Sequence, residues 1–166
     1  MKHFSFFCLS VLFYFTSCSL CDPDSDNDQE DISKYVGTFK LTAWNAPVPV
    51  DIDQNGTASR NLVTESTCYH PSKIILSANR NYIKHEYYPV MGSAATSCGS
   101  IISNGVWTVH GSTVKLIPSE GEEEQYYYGE VNENLTRSLE NYSYPTIAEG
   151  EGTYALGDVN MVYTKE

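Results

Sequence analysis

A chain of 166 residues with a net charge of −11 has room for one domain and lacks the basic footprint that nucleic-acid binding requires. From position 32 onward nine Lys and Arg stand against fifteen Asp and Glu, which also disfavours docking on anionic lipid by charge. A core is within reach, because a domain of about 150 residues buries ~68–70% of its unfolded surface.

Lys2 and His3 open a short basic segment, and positions 4–15 are almost wholly apolar. That run is shorter than the ~20 residues a spanning helix needs. With Thr16-Ser17 before Cys18 it has the layout of a secretory signal. The Thr16-Ser17-Cys18 site resembles a bacterial lipobox, with Phe15 where leucine is commonest. The resemblance implies that residues 1–17 are a lipoprotein signal peptide and that Cys18 receives acyl chains such as palmitate. Stable anchoring needs more than one chain, and bacterial lipoproteins carry three. The membrane is then a partner through the N-terminal lipid, and the expected place is the cell envelope, at the outer membrane. An ordinary secretory signal followed by a stray cysteine is the alternative.

Residues 18–31 read as a lipid-anchored, disordered acidic linker. Asp22, Asp24, Asp26, Asp28, Glu30 and Asp31 stand there with no base among them. So polar a stretch cannot bury enough surface to offset its ordering entropy, and its like charges extend it. Acidic residues after a lipidated cysteine also resemble the surface-export signals of some bacterial lipoproteins; a plain solvated spacer is the alternative. Of the five cysteines, Cys8 leaves with the signal, Cys18 takes the lipid and Cys21 stays in the linker. An exported compartment permits a Cys68–Cys98 disulfide, which would close a loop of about thirty residues. Two separate buried thiols are the alternative.

Residues 32–166 read as one all-β domain. Short segments rich in Val, Ile, Thr, Tyr and Trp alternate with Gly, Asn and Ser, and no long helical period appears. Ile32-Ser33-Lys34-Tyr35 suits one helical turn. The segment 37–44 alternates, with Phe39, Leu41 and Ala43 on one side and Thr38, Lys40 and Thr42 on the other. Residues 45–61, holding Pro47, Pro49, Asp51, Asp53, Asn55 and Gly56, read as a long loop. Strands are then expected at 73–78 and 82–90 around a turn at Asn79-Arg80-Asn81. Two hairpins follow, 105–110 with 113–118 around Gly111-Ser112, and 125–131 with 135–139 around Asn132-Glu133-Asn134. A last strand occupies 152–165. Eight or nine strands with tight connections describe an antiparallel meander in a barrel or a sandwich, and barrel closure removes exposed edges.

Three segments resemble bacterial lipocalin-like lipoprotein domains. The stretch Ile32-Ser33-Lys34-Tyr35-Val36-Gly37-Thr38-Phe39-Lys40-Leu41 is similar to their G-T-W first strand, with Phe39 in place of tryptophan. Gly105-Val106-Trp107 and the hairpin after it are similar to their internal G-x-W hairpin, and Val162-Tyr163-Thr164-Lys165 to their last strand. The resemblance implies an antiparallel up-and-down, lipocalin-like β-barrel of about eight strands, possessing or lacking a cavity. It implies no ligand and no catalytic residues, since a fold by itself supplies neither.

Asp51-Ile52-Asp53-Gln54-Asn55-Gly56-Thr57 matches the opening of a calcium loop. Asp51, Asp53, Asn55 and Thr57 would offer oxygens to a hard cation. The twelfth position is Leu62 rather than an acid, and Glu65 comes three residues late unless the loop has another shape. An Asp/Asn/Gly turn without metal is the alternative. No other cofactor is expected. Of thirteen tyrosines, seven cluster at Tyr87-Tyr88, Tyr126-Tyr127-Tyr128 and Tyr142/Tyr144. Tyr126 and Tyr128 share one side of a strand and, with Trp107, are candidate contacts for a sugar or aromatic ligand. Core or rim packing is the alternative for them and for Trp44. His70, His85 and His110 are scattered and G-x-S-x-G is absent, so no enzyme is expected. Glu120, Glu122, Glu123 and Glu124 read as a solvated hairpin tip. Two functions remain: a module holding a small apolar or amphipathic ligand in its barrel mouth, or an interaction or inhibitor protein using loops 45–61 and 119–124 against a protein partner. A cavity above ~300 Å³ with mixed apolar and tyrosine walls separates the first from the second.

Overall fold

The computed structural model describes residues 31–92 and 97–166. The signal peptide, the Cys18 lipid site and the linker up to Glu30 lie outside the described residues. Asp31, read as the linker's last residue, accepts the Ser33 amide at 2.9 Å and so belongs to the start of the fold.

Among the described residues nine strands follow a 3₁₀ turn at Ser33–Tyr35: β1 (Gly37–Val50), β2 (Ser59–Asn61), β3 (Lys73–Leu76), β4 (Asn81–Val90), β5 (Ser97–His110), β6 (Thr113–Pro118), β7 (Glu124–Gly129), β8 (Asn134–Ala148) and β9 (Glu151–Lys165). Strands β3 to β9 form a consecutive antiparallel meander, and β1 pairs with both β3 and β9, closing an eight-stranded barrel. β2 is an extra strand on β1, held through Asn45 and Val50. The closed antiparallel barrel is the expected fold, and its closure leaves neither β1 nor β9 as a free edge.

Four differences from the sequence reading have local causes. The stretch from Asn45 is not all loop: β1 continues to Val50, because Pro47 and Pro49 fall where no ladder partner is required. The β1–β9 register shifts between Leu41 and Ala43, so Trp44 rather than Ala43 continues the buried series Phe39, Leu41. Strand β5 begins at Ser97 rather than near Gly105. Its Gly99 lies opposite Tyr88, and a Cβ there would stand 2.7 Å from the Tyr88 ring. β8 runs to Ala148 past a second register shift between Leu139 and Tyr142, where Asn141 takes a left-handed φ of 50°.

The interior has three levels. At the closed end Tyr35, Phe39, Leu76, Trp107, Val114, Tyr128 and Leu135 are fully buried or nearly so. Their polar atoms are paired inside the protein: Tyr35 Oη donates to the Gly111 carbonyl at 2.7 Å, and Trp107 Nε1 to the Ser77 carbonyl at 3.0 Å. Above this plug lies a charged layer. Lys84 is buried, with its Nζ 2.9 Å from Glu86 and 3.0 Å from Glu124, and Arg137 reaches Glu124 at 2.9 Å. The third level is open.

Candidate functional site

The open level is a cavity of about 350 Å³ lined by Trp44, Tyr69, Glu86, Tyr88, Pro89, Ile101, Tyr142, Ser143, Pro145 and Tyr154. Five of these side chains are aromatic, each delivered by a different segment. β1 brings Trp44, and a second 3₁₀ turn (Thr67–Tyr69) brings Tyr69. β4, β8 and β9 bring Tyr88, Tyr142 and Tyr154. Trp44 meets Tyr69 edge to face at 5.0 Å between ring centroids and Tyr142 at 6.5 Å. Such contacts add ~0.5–1.5 kcal/mol beyond area burial and hold the rings in place. Tyr154 ties the two rim hairpins together: its hydroxyl accepts from the Met91 amide and donates to the Pro89 carbonyl, both at 3.3 Å.

A deeper recess of about 20 Å³ is lined by Leu41, Trp44, Tyr69, Glu86, Tyr87, Tyr88, Met161 and Tyr163. Trp44 Nε1 and Tyr69 Oη are buried and have no hydrogen-bond partner among the described residues. An unpaired buried donor costs ~1–3 kcal/mol, so both are exceptions in a structure that otherwise pairs its interior polar groups. Burial, then the neighbouring Tyr154 and the Glu86 carboxylate, push the Tyr69 phenol well above its ordinary range, so it remains an O–H donor.

The charged layer forms the floor. Burial lowers the proton affinity of Lys84, but Glu86 and Glu124 outweigh it and hold the ammonium above its ordinary range. Burial likewise opposes ionisation of Glu124, yet Lys84, the Tyr126 hydroxyl and Arg137 hold that carboxyl below its usual value. Two cations face two carboxylates, so the floor carries no uncompensated charge.

A model of the family described as a lipocalin-like domain matches residues 36–136. The chain belongs to the lipocalin-like domain family. Nothing among the curated proteins or the solved structures matches it. The match ends within β8, while the lipocalin-like barrel is completed by the rest of β8 and by β9, which supplies Tyr154.

The site residues expected from sequence are dispersed over this lipocalin-like barrel. Trp107, Tyr126 and Tyr128 are buried below the cavity and none lines it. Tyr126 Oη donates to Glu124 at 2.5 Å and Tyr128 Oη to the Lys34 carbonyl at 3.1 Å. Cys68 and Cys98 form a disulfide with Cα atoms 5.4 Å apart. It borders a cleft of about 320 Å³ that also takes in Asp53, Glu65 and His70. In the acidic loop, Asp51, Asp53 and the buried Glu65 bring one oxygen each within 4.8 Å of one another. The distant Glu65 is thus the third acid of the group. Asn55 is engaged otherwise: its Nδ2 donates to Asp53 at 2.8 Å, and its Oδ1 accepts the Thr57 amide at 2.8 Å. Backbone amides of Asn55 and Gly56 bond the Asp51 carboxylate, as in a turn without metal.

Trp44, Tyr69 and Tyr154 were not legible as a group. The available signal was an aromatic beside a break in alternation, at Ala43-Trp44 and at Asn141-Tyr142. Nothing in the spacing pairs those two breaks.

Proposed function

We propose that this chain is a lipid-anchored binding module of the bacterial cell envelope, holding a small, largely apolar ligand in its barrel mouth without transforming it. The observation that carries the reading is the aromatic-walled cavity of about 350 Å³ above a packed core, since ligand sites are concave, mostly apolar and of ~300–1,000 Å³. The anchor rests on Thr16-Ser17-Cys18, and the acidic linker would hold the barrel off an outer membrane. The acidic loop offers a calcium site that would order residues 51–65 rather than perform chemistry.

Native mass spectrometry of the full chain, purified from its own cell, tests ligand binding. A retained small molecule is expected, and Ile101→Glu, which places a charge on the cavity wall, is expected to abolish retention. Repeated recovery of the folded protein empty, together with failure of apolar probes to bind, would overturn the reading.

A second reading, contact with a protein partner, draws on Ile83, Ile102 and Val106, which lie exposed on the β4–β5 hairpin. It predicts a partner that survives filling of the cavity.

A further inference from the structure

We infer that the cavity takes an uncharged, ring-bearing molecule that inserts one hydrogen-bond-accepting oxygen between Trp44 and Tyr69. This rests on the reading of the cavity as a ligand site and specifies the chemistry of its occupant.

Size, polarity and charge agree. The recess of about 20 Å³ that touches Trp44 and Tyr69 admits one water-sized group, which needs roughly 10–15 Å³. The outer cavity, of about 350 Å³, is large enough for the rest of a small ligand, and both spaces share Trp44, Tyr69, Glu86 and Tyr88. Two residues shared by both spaces carry groups without partners: Trp44 Nε1, which can only donate, and the Tyr69 hydroxyl. Both are satisfied by an acceptor. A carbonyl or ether oxygen has two lone pairs and can serve both at once.

Charge narrows the choice. A cation brings no lone pair to either donor, and Glu86, the one carboxylate on the wall among the described residues, is already held by Lys84 at 2.9 Å. An anion brings lone pairs but finds no free cation in the floor among the described residues, since Lys84 and Arg137 are taken by Glu86 and Glu124, in a protein of net charge −11. An uncharged acceptor meets neither objection. Tyr88, Tyr142 and Tyr154 around the outer space suit a flat ring, which can meet them by face or edge.

The test measures binding of four probes of one shape to the full chain by isothermal titration: 2-acetylnaphthalene, 2-ethylnaphthalene, 2-naphthylmethylamine and 2-naphthoate. The same measurement is made on Trp44→Phe and Tyr69→Phe, each verified as folded by its thermal transition. The ketone-to-hydrocarbon affinity ratio is expected to fall about tenfold, or 1.4 kcal/mol, in each variant, with the hydrocarbon's own affinity changed less than twofold. The amine and the carboxylate are expected to bind more weakly than the ketone. Should Trp44→Phe not fold, Tyr69→Phe, which removes one oxygen, carries the measurement. A ratio unchanged in the folded variants would overturn the acceptor inference while leaving the ligand cavity standing, and so would binding of the hydrocarbon alone. Failure of both ketone and hydrocarbon to bind would overturn the cavity reading along with it.

Discussion

Cys68 is bonded to Cys98, and each stands next to part of the cavity wall: Tyr69 follows Cys68, and Gly99, which follows Cys98, is the cross-strand partner of Tyr88. The bond spans 30 residues and joins the turn that bears Tyr69 to the strand that bears Gly99. Constraining a loop of that length stabilises by about 3–4 kcal/mol on the chain-entropy account. Cys68→Ser with Cys98→Ser is expected to lower the urea midpoint accordingly. It should also weaken binding of an apolar probe at a temperature where the fold persists. A variant equal to the parent in both measurements would show the bond to be dispensable to barrel and cavity alike.

Gly99 gives Tyr88 its place. A Cβ at this position would lie 2.7 Å from the ring, so Gly99→Val must displace Tyr88 from the cavity wall. Overpacking costs typically ~1–3 kcal/mol. The expected result is a loss of stability in that range with a larger proportional loss of probe binding, whereas Gly111→Ala, at a position with nothing within 4 Å but with a left-handed φ of 56°, should reduce stability without altering the cavity.

The charged layer makes the barrel sensitive to the loss of either sign. Removing Lys84 as Lys84→Met leaves Glu86 and Glu124 without their shared cation. Breaking a buried pair in this way costs ~3–5 kcal/mol, read as a shift of the urea midpoint at neutral pH. The pH dependence has a definite direction. Glu124 is held below its ordinary value of 4.5 in the fold, so its contribution is full above that value and is lost as pH falls through the lower folded value. Glu124→Gln should be less stable than the parent at neutral pH, and the gap should narrow under acid. A gap independent of pH would remove Glu124 from the acid response.

Glu65 behaves in the opposite sense. Burial, with repulsion from Asp53 and Asp51 added to it, raises its carboxyl above the ordinary 4.5. A raised carboxyl favours the fold when protonated, so that contribution is present below the unfolded value and is lost as pH climbs through the folded one. Glu65→Gln is therefore expected to melt no lower than the parent at neutral pH in the presence of a chelator. Calcium should raise the parent's melting temperature by offsetting the three carboxylates, and should raise that of Glu65→Gln much less. Equal responses of the two proteins to calcium would exclude Glu65 as a ligand.

The anchor is tested apart from the barrel. Metabolic labelling with a palmitate analogue should mark the parent and leave Cys18→Ala unmarked, with that variant released from the membrane fraction. Labelling that persists in Cys18→Ala would place the lipid elsewhere, and a parent that takes up no label would remove the anchor.

What the sequence by itself determined is an antiparallel meander, with a barrel implied by its lipocalin-like segments and closed only by the pairing of β1 with β9. Alternation in β1 and β4, with turn residues at Gly111-Ser112 and Asn132-Glu133-Asn134, specifies strands and hairpins from local chemistry. Spacing and compartment together singled out Cys68 and Cys98. The half of β5 nearer the cavity was hidden because Ser97, Gly99, Ser100, Ser103 and Asn104 are residue types that favour turns. Their place as strand is imposed by the ladder to β4 and by Tyr88 packing over Gly99. Only the tertiary structure decided the site. A one-residue register shift turns Trp44 inward, a disulfide secures the turn bearing Tyr69, and a late Glu65 joins Asp51 and Asp53. Each depends on contacts between segments far apart in the chain, where the period of a single strand carries no information.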